Sequence, residues 1–316
     1  MQSNRRQFLK SLTATTVGVN LTSAGAFVKA QESETVKTPK NPFSTDPVGR
    51  VKLFDGVETS RVGFGTGMAG YNHSAQLTRM DRGEAEKLIL HAYDAGVRFF
   101  DCADLYGTHE IVTTTLKGKP RDSYTLSTKL WLHGGDWVDK DTKDDVVATV
   151  KRFISECKTD YLDLVQIHCL MKPDWDEELA FQRCMEGLEK CKKEGLIRGH
   201  GVSCHSFGAL QRAVVNPWVD AVHVRLNSSG ARMEGTFEEN VAVAQKAQDN
   251  GKGVICMKLV GEGTMRELEE RRKSVEAVVR SQVVDVYIVG FERIPEVDEL
   301  IDNIERALKS MASERT

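Results

Sequence analysis

In AYDAGVRFFDCADLYGTHE, Ala92 to Glu110, a helical segment stops at a glycine, a short apolar run follows, and that run ends on a carboxylate. Ala85, Leu88, Ile89 and Ala92 repeat at helical spacing and form one apolar face, so Gly83–Ala95 reads as a helix. Gly96 supplies the residue that ends helices most often. Val97–Asp101 then reads as a buried strand, and Asp101 at its end costs stability unless something pairs with it. The stretch therefore states both a helix-to-strand unit and a need for a partner across from Asp101.

The same grammar repeats along the chain. The apolar runs Val62–Gly65, Val97–Asp101, Tyr124–Thr128, Leu162–His168, Gly199–Ser203, Ala221–Val224, Gly253–Met257 and Asp285–Val289 are expected strands. The segments 83–95, 144–157, 176–193, 206–214, 236–250, 265–280 and 295–309 are expected helices, with a shorter one at Thr108–Leu116. Eight strands alternating with helices predict a closed parallel (β/α)8 barrel, a TIM barrel, over an open doubly wound sheet. The count of eight and the lack of a second core decide between them. Ahead of the first barrel strand, VKLFDGVETSRVGFG carries Asp55-Gly56 between two apolar stretches, which predicts a small N-terminal hairpin. The barrel domain is read over residues 50–312.

The 316 residues hold 40% hydrophobic and 28% charged side chains with a net charge of −3, an ordinary balance that gives nucleic acid no basic surface. The first thirty residues differ. SNRRQFLK, Ser3 to Lys10, places an arginine pair before Phe8 and Leu9, a mildly apolar stretch follows, and Val28-Lys29-Ala30 offers small residues for cleavage. This resembles a twin-arginine signal peptide over residues 1–30, which predicts the export machinery as a partner and the periplasm as destination. Residues 11–28 are too short and polar for a stable membrane span. Residues 31–49, with three of the seven prolines, read as a polar linker. Seven scattered cysteines without a CxxC pair read as buried thiols.

In such barrels chemistry sits at the carboxyl ends of the strands. There the chain places Asp101, then Tyr106 in the following loop, Lys129 at the end of TLSTKL, and His168 at the end of LDLVQIH. Each alone has a structural explanation, but together at adjacent strand ends they suit proton delivery to a carbonyl. A phenol titrates near ~10 in water, a neighbouring ammonium favours its phenolate, and the ammonium needs a carboxylate to stay charged in a partly buried site. A histidine can donate to the carbonyl oxygen as charge develops. The hydride must come from a nicotinamide, since no side chain supplies one.

The motifs FFDCADLYG, STKLW, YLDLVQIH and GVSCHS resemble, in order and spacing, the aldo-keto reductases over residues 50–310. The resemblance implies reduction of an aldehyde or ketone, or the reverse oxidation. It makes Tyr106 the general acid/base, Lys129 and Asp101 its tuning pair, and His168 the group that orients the carbonyl. It also implies NADP, with NAD as the alternative, bound by Gly65, Thr66, Ser203, Cys204, His223, Met257, Lys258, Gly290 and Arg293. Met68 and Trp131 are expected substrate walls. Departures from the family pattern stand at Cys204, His223 and Met257. After the last strand Gly290 and Glu296 occupy positions where basic residues hold a 2′-phosphate, leaving Arg293 and Lys258 as substitutes.

Gly65-Thr66-Gly67-Met68-Ala69-Gly70 matches the dinucleotide fingerprint GxGxxG, but a polar loop follows where that motif needs a helix. A metal shared by Cys102, Cys169 and Cys204 is not expected, because alternation turns Cys102 and Cys169 outward if Asp101 and His168 face inward. Two other functions keep the barrel: a cofactor-binding regulator without catalysis, and a lyase or isomerase using Lys129 as a Schiff base.

Overall fold

In a computed structural model of the protein the described residues are 40–132 and 143–316. The signal-like residues 1–30 and the first part of the polar stretch lie outside them. The described residues belong to one compact unit. It opens with the expected hairpin, β1 (Arg50–Phe54) and β2 (Val57–Ser60), paired antiparallel through the Asp55-Gly56 turn.

Eight parallel strands follow: β3 (Val62–Gly65), β4 (Phe99–Asp101), β5 (Thr125–Leu130), β6 (Leu162–Leu170), β7 (Ile197–Cys204), β8 (Ala221–Arg225), β9 (Gly253–Met257) and β10 (Val286–Val289). They pair in chain order and β10 closes on β3, so the barrel predicted from the repeat is the barrel observed. The helices are α1 (Gln76–Arg79), α2 (Arg82–Asp94), α3 (His109–Thr115), α4 (Lys143–Glu156), α5 (Leu179–Lys193), α6 (Phe207–Ala213), α7 (Phe237–Asp249), α8 (Leu268–Ser281) and α9 (Ile294–Ser313). In α2 the apolar face Ala85, Leu88, Ile89 and Ala92 is buried, and the Asp81 carboxylate caps the helix by accepting from Gly83 N and Glu84 N. Among the described residues no helix is long and apolar enough to cross a membrane.

Two apolar layers hold the unit. Outward-facing strand residues and the helices make the larger one. Inside the barrel, Phe99, Leu164, Ala221, Ile255, Val286 and Ile288 pack against Val51, Leu53, Phe54 and Val57 of the hairpin. The hairpin thus plugs the amino-terminal end of the barrel, and the carboxyl end is left for polar groups. Lys40 fastens the chain to the same plugged end: its ammonium donates to Leu53 O (3.0 Å), Lys252 O (2.9 Å) and Asp285 Oδ2 (2.6 Å). Burial pushes the Lys40 ammonium down and the Asp285 carboxyl up, each opposed by the other's charge. Lys40→Met leaves Asp285 buried without its cation. Urea unfolding should read a loss of about 3 kcal/mol, and a loss below about 1 kcal/mol would show the pair to be dispensable.

Register sets what faces the barrel axis. Asp101 is level with Ser127, and Lys129 is level with Gln166. Side chains alternate, so Asp101, Lys129 two residues beyond Ser127, and His168 two beyond Gln166 all point inward at the carboxyl end.

Candidate active site

A cavity of about 440 Å³ opens at the carboxyl end of the barrel. Asp101, Tyr106, Lys129 and His168 line it together, each from a different segment. Lys129 is 2% exposed, and an ammonium so buried must have its charge met. It donates to Asp101 Oδ1 and Oδ2 (both 2.7 Å) and to Cys102 O (2.9 Å), which uses all three of its protons. Ser127 Oγ donates to Asp101 Oδ1 at 3.2 Å, and His223 Nε2 lies 3.2 Å from the same oxygen, outside good hydrogen-bond angles. Burial alone would raise the Asp101 carboxyl. The Lys129 charge and then the His223 contact outweigh it and hold the group well below the usual carboxylate range.

Tyr106 sits at the end of a one-turn 3₁₀ segment, Asp104–Tyr106, and its hydroxyl is 3.3 Å from His168 Nε2. Arg152 of α4 grips the start of that turn, with Nη1 and Nη2 on the two Asp104 carboxylate oxygens at 3.0 and 2.8 Å. The ring itself is held from the other side. A Cβ placed on Gly67 would lie 2.2 Å from Tyr106 Cε2, and one on Gly70 would lie 2.5 Å from Cδ1. The loop after β3 therefore lies flat on the phenol ring because two of its residues have no side chain. The GTGMAG motif has a use, but as a slot for an aromatic ring.

Burial first, and the Asp101 charge next, push the Tyr106 phenol well above its ordinary value. The Lys129 ammonium, which gives its protons to Asp101 and Cys102, stands 5.4 Å from the ring centre. Burial, then the Lys129 charge, push His168 well below the usual imidazole range, so its ring is neutral. Its Nδ1 is buried with no hydrogen-bond partner among the described residues. The Trp131 ring stands edge-on to His168 with centres 5.5 Å apart.

Of the other expected site residues, Gly65, Met68, Trp131, Ser203, His223, Met257, Lys258 and Gly290 line the cavity. Three do not. Thr66 is buried beneath it, its hydroxyl donating to Asp101 O (2.9 Å) and meeting Thr108 Oγ1 (2.7 Å). Cys204 follows inward-facing Ser203, so alternation turns it into the outer core. Arg293 caps α9 at the surface and pairs with Glu296 Oε1 at 2.9 Å. Lys258 reaches the cavity wall but is paired with Glu262 at 2.8 Å. His223 is fully buried and aims at Asp101.

The cavity also holds residues that the sequence left unassigned, among them Tyr71, Cys169, His205 and Glu262. Cys169 corrects the outward placement expected of it. The β6–β7 ladder shifts register between Ile167 and Leu170, Cys169 takes a φ of +59°, and the residue lines the cavity with its Sγ 3.3 Å from His205 Nε2. Among the described residues no three His, Cys, Asp or Glu side chains are arranged to hold a metal.

A closed parallel barrel whose titratable groups meet at the strand carboxyl ends defines a (β/α)8 barrel with an enzyme-like site. The Aldo/keto reductase family profile matches residues 61–314, and the chain belongs to that family. Methylglyoxal reductase DkgB of Escherichia coli O157:H7 is 29% identical over 128 residues, 40% of this chain and 45% of that one. D-galacturonate reductase of Fragaria ananassa is 32% identical over 175 residues, 50% of this chain and 51% of that one. The chain spans about half the length of these curated relatives. An aldo-keto reductase of Klebsiella pneumoniae, crystallised in complex with NADPH, shares the fold at a TM-score of 0.61 and 19% identity, over 81% of this chain and 89% of that one.

Proposed function

We propose that this chain is an exported, nicotinamide-dependent reductase of aldehydes or ketones, able to run the reverse oxidation, with Tyr106 as its proton donor. The observation that carries the reading is the meeting of the Tyr106 hydroxyl and His168 Nε2, 3.3 Å apart, over the buried Lys129–Asp101 pair in one cavity. A nicotinamide, when bound, supplies the hydride that no side chain can. The residues present fit such a group. Gly65, Gly290, Met257 and Ile288 give the cavity small and apolar lining, and His223, fully buried beside it, has its Nδ1 without a hydrogen-bond partner among the described residues. Ser203 Oγ accepts from Cys169 N (2.9 Å), which leaves its own proton for a ligand carbonyl.

A carbonyl oxygen held by Tyr106 and His168 gains negative charge as reduction proceeds. The neutral His168 ring stabilises that charge as a donor if its proton is on Nε2, and Tyr106 delivers the proton. A raised phenol can still protonate an alkoxide, which is far more basic. The Lys129–Asp101 pair fixes the floor beneath both groups. A Schiff base on Lys129 would require that floor to be taken apart, since all three of its protons are bound.

The pH dependence has a definite sign. Reduction needs the protonated phenol, and burial and Asp101 raise its pKa. Initial rates of reduction should therefore stay level from about pH 7 to above about 9, while alcohol oxidation, which needs the phenolate, should rise over that span. A fall in reduction centred near neutral pH would contradict the assignment.

NADP follows the family pattern. NAD is the second reading, because Glu296 at the start of α9 takes Arg293 and also the Glu292 N–H (2.8 Å). Mass spectrometry of the purified chain for bound nucleotide, with carbonyl turnover compared on NADPH and NADH, tests cofactor and activity together. Export rests on the twin-arginine pattern alone. Replacing Arg5 and Arg6 with lysine should hold the protein in the cytoplasm, and unchanged periplasmic recovery would remove that part of the proposal.

A further inference from the structure

The register shift in β6 does more than correct a side-chain direction. Cys169 Sγ lies 3.3 Å from His205 Nε2, and both residues line the cavity that holds Tyr106 and His168. Among the described residues it is the one cysteine on that wall. Burial holds its thiol up at about 11, so little thiolate stands ready at neutral pH. A thiol in that state attacks when a base takes its proton during the step, and an imidazole at hydrogen-bond distance is the usual base. Beside that cavity His168 Nδ1 and His223 Nδ1, on side chains more than nine-tenths buried, have no hydrogen-bond partner among the described residues.

We propose that Cys169 and His205 form a second, covalent site in this cavity, which captures α,β-unsaturated aldehydes and ketones by conjugate addition. The proposal rests on the reading of the cavity as a carbonyl pocket. Sγ bonds to the β-carbon while the thiol proton passes to His205 Nε2. The carbon–carbon π pair shifts toward the carbonyl to give an enolate, and its α-carbon then takes the proton back from His205. The product is a saturated thioether carbonyl, formed with no oxidant or reductant. It occupies the space beside His168 and closes the cavity to further substrate, so an unsaturated carbonyl that is not reduced in time becomes an inactivator.

The test exposes the full chain to 2-cyclohexen-1-one, a small and mild enone. Adducts are read by intact and peptide mass, and turnover is followed on a saturated aldehyde. One adduct on Cys169 is expected, with turnover lost in step with it. Cys169→Ser should take no adduct at that position. His205→Gln should slow modification of Cys169 by about 100-fold, while both variants keep cooperative thermal unfolding. Modification spread over other cysteines with Cys169 bare, or equal rates in His205→Gln and the parent, would overturn the proposal. Because the adduct is read by mass, its formation in a chain that reduces no carbonyl sinks the reductase reading alone. An active reductase that never acquires the adduct sinks the covalent site alone.

Discussion

Tyr106→Phe should lower kcat for carbonyl reduction by about 1,000-fold while leaving nicotinamide affinity within about twofold of the parent. The substitution removes one oxygen and no packing. The ring keeps its slot against Gly67 and Gly70 and its edge contact with His168, whose centre is 5.6 Å away. What is lost is the proton donor, and a positioned general acid is worth roughly 10² to 10⁴ in rate. His168 is a poor substitute: burial and Lys129 hold its ring neutral, so it can share a hydrogen bond but has no imidazolium proton to give. Lys129 cannot step in either, with its three protons on Asp101 and Cys102. Steady-state kinetics with a separate measurement of nucleotide binding divides the effect between kcat and affinity. A variant that keeps more than about a tenth of parental kcat would move the proton donor to another group.

The parts of this site that could be read from sequence are those that depend on period. Strand spacing located the barrel, and alternation brought Asp101, Lys129 and His168 to one inward face, because both rules act within a few residues. For Cys169 and Thr66 the departure from expectation has a common physical source, which is that local period says nothing about partners far along the chain. Cys169 faces the cavity because the β6–β7 ladder slips between Ile167 and Leu170, an event between two strands more than thirty residues apart in sequence. Arg293 was offered as a phosphate ligand, and Lys258 with it, on charge alone. Each is paired with a glutamate only three or four residues away, Glu296 and Glu262. That pairing was visible as spacing but could not be told from chance without the backbone. Thr66 is diverted in the same way, since its hydroxyl is used on Asp101 O and Thr108. At Tyr106 the pairing of Lys129 with Asp101 was legible, while the 5.4 Å that separates the ammonium from the ring centre was not.

Gly67→Ala should cost about 100-fold in kcat with little loss of fold stability, the reverse of what substitution of a close-packed glycine commonly does. The argument rests on which atoms must give way. All three of the nearest atoms to a Cβ at this position belong to the Tyr106 ring, at 2.2, 2.3 and 2.7 Å, and no backbone atom is among them. Gly67 does not have a positive φ, so the alanine brings no backbone strain of its own. The cheapest relief is therefore for the phenol to swing away, and the cavity at its hydroxyl end has room for it. Such a shift breaks the 3.3 Å approach to His168 and carries the proton donor off the carbonyl, where a displacement of about 1 Å is enough for a hundredfold loss. Gly70→Ala meets Tyr106 Cδ1 at 2.5 Å but also Gly67 O at 2.9 Å, so it should lose activity and some stability as well. A double-mutant cycle separates this slot from a general structural role: in the Tyr106→Phe background Gly67→Ala should cost almost nothing further, because the group it misplaces no longer acts. If the two substitutions instead multiply, or if Gly67→Ala lowers the thermal midpoint as much as it lowers kcat, the glycines serve the fold and not the phenol.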